Sequence, residues 1–260
     1  MCGIAGYINK HTSGNNITVN DTVLKEMLNA LAHRGPDNSG CWAADNKKVF
    51  LGHRRLSILD LSDSASQPML DNNKELVIIF NGEIYNFNEI KSELIEAGYS
   101  FKTSSDTEMI LYAFKEWGVA AVSKFIGMFA IVLYDMVKNE LYFIRDRFGV
   151  KPLYLYEDED KWMFSSEIKS FFKHPAFDAE INKDAIPLFL KYGYIPTPYS
   201  IFKNVKKVKP GHIIKLDLAN NKIAEDNCYW DAITAFNQPK FEEKDEDLIL
   251  SEVEELIVLW

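Results

Sequence analysis

No apolar run in this sequence approaches the roughly 20 residues that a membrane-crossing helix needs. No basic segment followed by an apolar one marks a signal peptide near the start. Cationic charge is also short. There are 29 lysines and arginines against 38 aspartates and glutamates, a formal net charge of −9. That balance argues against nucleic acid or an anionic membrane surface as a partner, since both require clustered cations. The densest basic cluster, Lys206, Lys207 and Lys209, is brief and reads as a solvated strand edge. Cysteine is sparse: Cys2, Cys41 and Cys228, with no Cys-x-x-Cys spacing. This excludes a disulfide framework and suits a reducing cytoplasm. The five histidines are scattered, and none is spaced with another His or Cys as metal ligands are. What remains is 47% hydrophobic and 26% charged over 260 residues. That suits one large globular domain, or one domain plus a fragment.

One of the few cysteines is placed unusually. Cys2 follows the first methionine directly in Met1-Cys2-Gly3-Ile4-Ala5-Gly6-Tyr7-Ile8. Its side chain is small, so removal of Met1 would leave a thiol beside its own α-amino group. One residue would then hold both a nucleophile and a base. Their ordinary pKa values, about 8.5 and about 7.7–8.0, permit proton exchange near neutral pH, and a thiol nucleophile needs such a base or a lowered pKa. The apolar and small residues behind it read as a strand buried on both faces, a rigid mount for a nucleophile. On these residues alone, a cysteine at a frayed terminus is the competing reading.

A polar turn over 9–20 leads to a helix capped by Asp21, with Val23, Met27, Leu28 and Leu31 facing the core. His33-Arg34-Gly35-Pro36-Asp37 stops it through Gly35 and Pro36. Strands are expected over 41–44 and 48–53 around Asp45-Asn46, leading into Gly52-His53-Arg54-Arg55-Leu56-Ser57-Ile58-Leu59. In an extended chain one of the two arginines points into a pocket while its neighbour points out; otherwise both are solvated. Residues 75–80 are the strongest strand signal and end in Asn81-Gly82-Glu83-Ile84-Tyr85-Asn86. Asn-Gly there reads either as a tight hairpin turn or as two donors aimed at one oxygen, as an oxyanion hole requires. A helix over 88–97 buries Ile90, Leu94 and Ile95 and closes at Gly98. Ser104-Ser105-Asp106-Thr107-Glu108 opens a helix over 109–117, where Asp106 is either its N-cap or a carboxylate free to clamp an ammonium.

Hairpins follow: 128–134 with 141–144, another turning in 157–160, and 212–217 with 222–229; helices are expected near 166–172 and 182–191. Many hairpins with few strand–helix–strand repeats predict an α+β architecture of antiparallel sheets flanked by helices. Residues 234–247 read as a polar linker. Residues 248–259 read as a helix with Leu248, Ile249, Val253, Leu256, Ile257 and Leu259 mostly on one side. Such a face needs either the main domain or another domain to pack against.

Six segments, taken in order, resemble one family. They are Cys2-Gly3-Ile4-Ala5-Gly6, His33-Arg34-Gly35-Pro36-Asp37, Gly52-His53-Arg54-Arg55-Leu56-Ser57-Ile58, Asn81-Gly82-Glu83-Ile84-Tyr85-Asn86, Ser105-Asp106-Thr107-Glu108 and Arg145-Asp146-Arg147-Phe148-Gly149. Together they are similar to the glutaminase domain of glutamine-hydrolysing asparagine synthetases, class II glutamine amidotransferases of the N-terminal-nucleophile type. Each motif alone is weak to moderate; six in family order are specific. The likeness runs from Cys2 to about Trp230. It implies a four-layer α/β/β/α sandwich of two antiparallel sheets flanked by helices. It implies a domain over 1–230, with 231–260 as a linker and the first helix of a synthetase domain.

The resemblance also implies roles. Cys2 attacks the side-chain amide of L-glutamine, its α-amino group moves the proton, and Asn81 and Gly82 hold the oxyanion. Arg55 pairs with the substrate α-carboxylate, Glu83 and Asp106 hold the α-ammonium, and backbone at Leu56, Ser57, Ile58 and Leu59 lines the pocket. Arg34 and Asn86 support the nucleophile. Water then releases glutamate and ammonia. No metal or cofactor is implied for this half-reaction. ATP and Mg belong to the synthetase domain, whose Ser-Gly-Gly-Leu-Asp-Ser loop is absent from these 260 residues. The implied partners are that domain, in cis or in trans, and a second copy in a homodimer. Two alternatives remain open: a different amidation acceptor such as a sugar or peptide, or a non-catalytic regulatory protein that keeps the sandwich and retains Met1.

Overall fold

The computed structural model describes residues 1–11, 21–56 and 65–237, together with Leu248, Leu250, Ser251, Val253, Glu254 and Glu255. Along the chain the strands are β1 (Gly3–Asn9), β2 (Asn38–Ala43), β3 (Val49–Arg55), β4 (Met69–Leu70), β5 (Leu76–Ile84), β6 (Gly127–Asp135), β7 (Glu140–Arg145), β8 (Tyr154–Glu157), β9 (Lys161–Ser165), β10 (Val205–Lys207), β11 (His212–Asp217) and β12 (Lys222–Cys228). The helices are α1 (Asp21–Asn29), α2 (Phe87–Glu96), α3 (Asp106–Trp117), α4 (Ala121–Lys124), α5 (Ala185–Tyr192) and α6 (Ala232–Asn237), with a 3-10 segment at Ile168–Lys173. Two compact units are present, Met1–Tyr229 and Trp230–Trp260.

All strands of the first unit fall into two antiparallel sheets, ordered β10-β8-β9-β1-β3-β2 and β12-β11-β7-β6-β5-β4. The period-two alternation of each strand explains how they stack. On β1, Ile4 and Ile8 meet Val77, Ile79, Val132 and Phe143 of the other sheet. The intervening Ala5 and Tyr7 meet Leu24, Met27 and Leu28 of α1 and Phe171 of the 3-10 segment. On the second sheet, Ile78, Phe80, Ile131 and Leu133 face outward against Met109, Ile110 and Ala113 of α3 and Leu94 of α2. The result is helix, sheet, sheet, helix, as the α/β/β/α expectation held.

Several local expectations need correction. Asn81-Gly82 does not turn. β5 pairs with β6 from Leu76↔Asp135 to Ile84↔Gly127, and Asn81↔Ala130 and Gly82↔Phe129 lie inside that ladder. A turn after Phe80 would sacrifice those pairings and the burial of Ile84, which is worth about 1.5–3 kcal/mol by itself. Local turn preference loses to that sum. Ser105, not Asp106, caps α3: its side chain accepts the Thr107 N–H at 3.1 Å, leaving Asp106 as the first helical residue. In α1 it is Leu24 rather than Val23 that is fully buried, and in α2 Ile95 points to solvent while Ile90 and Leu94 face the core. Residues 234–237 are helical, within α6. Of the expected later helix, Leu248, Leu250, Ser251, Val253, Glu254 and Glu255 are helical. Ile249, Leu256, Ile257 and Leu259 and most of the 9–20 turn lie outside the described residues.

Candidate active site

β1, β3 and β5 bring their ends to one edge of the sandwich, beside the N-terminus of α3, and enclose a cavity of about 190 Å³. That is below the usual range for drug-sized ligands and suits a small metabolite. Cys2 stands at the head of β1, half-buried, and lines it. Its Sγ accepts the Leu56 N–H at 3.4 Å and lies 3.7 Å from the Leu56 carbonyl. Burial raises the thiol pKa. The Leu56 N–H, the chain's α-amino group and Arg55 act against that rise, and Asp106 adds to it.

Cys2 is braced from two sides. Arg34, in the turn after α1, donates Nε to the Cys2 carbonyl at 2.9 Å and Nη1 to Glu167 at 2.9 Å. Glu167 is also met by His33 at 2.9 Å and Lys169 at 3.0 Å. Burial pushes the Glu167 carboxyl up, but hydrogen bonds from Arg34, Lys169 and His33 outweigh it and hold the pKa at about 2. Ser166 clamps Ile4, two residues on, accepting the Ile4 N–H at 3.0 Å and donating its own N–H to the Ile4 carbonyl at 2.9 Å. Gly35 is required here: a Cβ would lie 2.4 Å from the Arg54 carbonyl carbon, so only glycine lets the α1–β2 turn pass β3.

The two arginines part company, as strand alternation allows. Arg54 reaches back to α1, donating to the Leu28 carbonyl at 3.1 Å and to Asn29 Oδ1 at 2.5 Å. Arg55 lines the cavity. Below it, His53 is fully buried; burial is the main cause, with Arg55 assisting and the Phe80 hydrogen bond opposing, that brings its pKa to about 3. The imidazole is therefore neutral at pH 7 and donates Nε2–H to the Phe80 carbonyl at 3.1 Å.

β5 supplies two donors. Asn81 is 1% exposed, and its Nδ2 has no hydrogen-bond partner among the described residues although it borders the cavity. Buried donors are rarely left so. Gly82 N–H is aimed by register. Phe129, opposite it, gives its N–H and C=O to Asp146 on the far side. The even residues of β5 therefore point away from β6. On that side Phe80 N–H is taken by Gln67 Oε1 at 2.6 Å and Ile84 N–H by Asp106 at 3.4 Å. Gly82 lies between them, opening onto the cavity. Asn81 and Gly82 thus contribute adjacent donors from an unbroken strand rather than from a turn.

Each residue of Ser105-Asp106-Thr107-Glu108 has its own task. Ser105 caps the helix, and Thr107 Oγ1 accepts Gln67 Nε2 at 3.1 Å. Glu108 gathers the backbone N–H groups of Lys102 and Thr103 at 2.7–3.1 Å. Asp106 faces the cavity with Glu83. Burial, aided by Glu83 and opposed by backbone N–H groups of Ile84 and Thr107, lifts its carboxyl to about 6.

The cavity therefore unites Cys2, Arg55, Leu56, Asn81, Gly82, Glu83 and Asp106. Asn86 is not among its lining residues. It donates Nδ2 to the Lys124 carbonyl at 3.0 Å and accepts the Ile126 N–H at 2.9 Å, tying α2 to the start of β6. Ser57, Ile58 and Leu59 lie outside the described residues. Gln67, His53 and Lys151 also line the site, and Glu167 and Ser166 brace it, without having been singled out. His53 and Lys151 sit in or beside the motif segments. Gln67, Ser166 and Glu167 carry no spacing signal. Among the described residues, no group of three or more His, Cys, Asp or Glu side chains could hold a metal ion. No helix there is long and apolar enough to cross a membrane.

Comparison with known proteins narrows the chemistry. Residues 1–230 match the sequence model of the glutamine amidotransferase domain. Asparagine synthetase [glutamine-hydrolyzing] 1 of Bacillus subtilis (strain 168) is 39% identical over 211 residues, 81% of this chain and 33% of that protein. A putative asparagine synthetase [glutamine-hydrolyzing] 2 of Methanocaldococcus jannaschii is 36% identical over 253 residues, 89% of this chain and 47% of that one. The amidase chry2 of Gibberella zeae is 35% identical over 237 residues, 89% of this chain and 34% of that one. The chain thus spans a third to about half of the length of these relatives. Among solved structures, the glutamine phosphoribosylpyrophosphate amidotransferase of B. subtilis shares the fold: the TM-score is 0.62 at 19% identity, covering 88% of this chain and 49% of that one. With the sequence match running from Met1 to Trp230 across every element that builds the cavity, this chain belongs to the glutamine amidotransferase domain family.

Proposed function

We propose that the domain hydrolyses glutamine to glutamate and ammonia through a γ-glutamyl thioester on Cys2, and that the ammonia serves the amidation of aspartate to asparagine. The juxtaposition of Cys2 with the unpartnered, buried Asn81 Nδ2 and the open Gly82 N–H carries this reading. In it, Met1 has been removed. Met1 itself lines the cavity, so its loss frees the α-amine and widens the mouth together. The Sγ proton passes to the α-amino nitrogen, and Sγ bonds to the amide carbon. The developing oxyanion takes hydrogen bonds from Asn81 and Gly82. The α-amine returns the proton to departing ammonia. Water then cleaves the thioester, regenerating the thiol. Arg55 holds the α-carboxylate bidentately, and Asp106 with Glu83 holds the α-ammonium, so the charges on the walls mirror those of the amino acid. Arg34 and Glu167 keep the nucleophile in place.

This half-reaction draws on no cofactor. ATP and Mg enter only with an aspartate-activating domain, in cis or in trans, and a homodimer in the cytoplasm is the expected setting. A second acceptor class is favoured by one observation, the amidase chry2 match over 89% of this chain. The test is glutamate and ammonia release from glutamine by the chain, with intact mass to read Met1. Glutamate should vanish in Cys2→Ala, and Asn81→Ala should lower kcat by about 10²–10³. A chain lacking Met1 that yields no glutamate would overturn the reading. Aspartate against sugar or peptide acceptors, offered with the amidating domain supplied in trans, separates the two destinations.

A further inference from the structure

Arg145-Asp146-Arg147-Phe148-Gly149-Val150-Lys151 is folded around two buried side chains. Asp146 accepts four backbone N–H groups: those of Phe148 (3.1 Å) and Val150 (2.9 Å) on Oδ1, and those of Phe129 (3.1 Å) and Lys151 (3.0 Å) on Oδ2. Arg145 donates to three carbonyls, Lys151 at 2.9 Å, Gly149 at 2.7 Å and Val208 at 2.5 Å. Both the N–H and the C=O of Lys151 are thereby fixed by charged partners. What this loop presents is the Lys151 side chain, 5% exposed, on the wall of the cavity that holds Cys2. Among the described residues nothing takes a hydrogen bond or ion pair from its ammonium.

A cation removed from water without a partner is costly. Burial, with Arg34 adding to it, pushes the amine below the ordinary lysine value, while Cys2, Asp146 and Glu83 draw it back up. Asp146 is already spent on backbone N–H groups, and Glu83 faces the substrate ammonium in the proposed reaction. Of the groups acting on Lys151, Cys2 is the one that turns anionic during catalysis. We infer that Lys151 is a positioning charge for the nucleophile: its ammonium stabilises the Cys2 thiolate formed when the Sγ proton passes to the α-amino nitrogen, and it neither gives nor takes that proton. The inference rests on Cys2 being the nucleophile of the proposed glutaminase. The other charges acting on the sulfur (the α-amine, Arg55 and Asp106), and the Arg34 and Glu83 charges that act on Lys151, stay in place when Lys151 is replaced.

The test is alkylation of Cys2 by iodoacetamide in the full chain, followed from about pH 5 to about pH 10 on the Cys2 peptide by mass spectrometry, since Cys41 and Cys228 are also free thiols. In Lys151→Met and Lys151→Gln the alkylation midpoint should rise by about one unit. That corresponds to about tenfold slower alkylation near neutral pH and a similar fall in kcat, with KM little changed. Lys151→Arg should restore the wild-type midpoint. Two neutral variants guard against one that folds poorly, and thermal melts identify it. An unchanged midpoint in a neutral variant that melts like the wild type would overturn the inference, as would an effect confined to KM. Should the wild-type chain release no glutamate, the alkylation midpoint still reports the thiolate–ammonium pair, so failure of the glutaminase reading stays distinct.

Discussion

Asp106 is under two opposing demands. In the proposed reaction, substrate capture requires a charged carboxylate in the cavity, while burial favours the neutral acid and lifts its pKa from 3.8 to about 6. The folded state therefore binds a proton that the unfolded state has already released between about pH 4 and about pH 6, and stability falls as pH rises through that window. The cost at pH 7 is on the order of 2–3 kcal/mol. Asp106→Asn keeps an oxygen for the Ile84 N–H but removes the charge. It should melt several degrees above wild type at pH 7 and show no gain near pH 4, read by thermal denaturation across pH. The same change should raise the KM for glutamine by about 10²-fold, because the substrate ammonium loses a buried counter-charge. In the wild type, glutamine turnover should decline as pH drops through about 6. Glu167 cannot cause that decline: its folded pKa of about 2 keeps it ionised throughout.

Between elements, the site depends on how β1 is pinned. Arg34 holds the Cys2 carbonyl just before β1, Ser166 holds Ile4 within it, and Glu167 orients Arg34. Glu167→Gln keeps the size and one acceptor but loses the charge that gathers Arg34, His33 and Lys169. It should lower kcat by about tenfold through looser placement of Cys2, with little change in KM. Equal loss in KM would mean a wider collapse of the pocket. The same level shows where the sequence stops being readable. The hairpin pattern, a local signal, predicted antiparallel sheets flanked by helices, whereas the two-sheet sandwich and the main cavity residues came from the resemblance carried by six motifs in order. Asn81-Gly82 was ambiguous, because only pairing with β6, some 50 residues away, decides strand over turn. Ser105 and Asp106 compete for one cap, and backbone geometry settles it. Glu167 reaches Arg34 across 133 positions, and Gln67 reaches Thr107 across 40, by side-chain contacts that leave no periodicity.

For the first unit as a whole, the cavity concentrates unmet polar groups: among the described residues Asn81 Nδ2 has no hydrogen-bond partner, Lys151 is buried without an ion pair, and Asp106 is held toward its neutral form. Each makes this unit less stable than its core alone would allow, and in the proposed function an amino acid with matching charges and an amide oxygen relieves Asn81 and Asp106, while Lys151 answers to the Cys2 thiolate. Ligand binding should therefore raise the melting temperature. Mass action sets the gain: ligand at 100 times Kd contributes about 2.7 kcal/mol, and each kcal/mol moves Tm by about 2–4 °C in a domain of 150–250 residues. The measurement is a thermal melt of Cys2→Ala, which binds without turnover, with and without saturating glutamine. A rise of about 5–10 °C is expected. It should be lost in Cys2→Ala/Arg55→Met, which cannot grip the α-carboxylate, and D-glutamine should produce far less of it, because inversion swaps the ammonium and carboxylate relative to Arg55 and Asp106. An equal shift from both enantiomers would mean that these charges do not read the amino acid, and the pairing of Arg55 with the α-carboxylate would have to be abandoned.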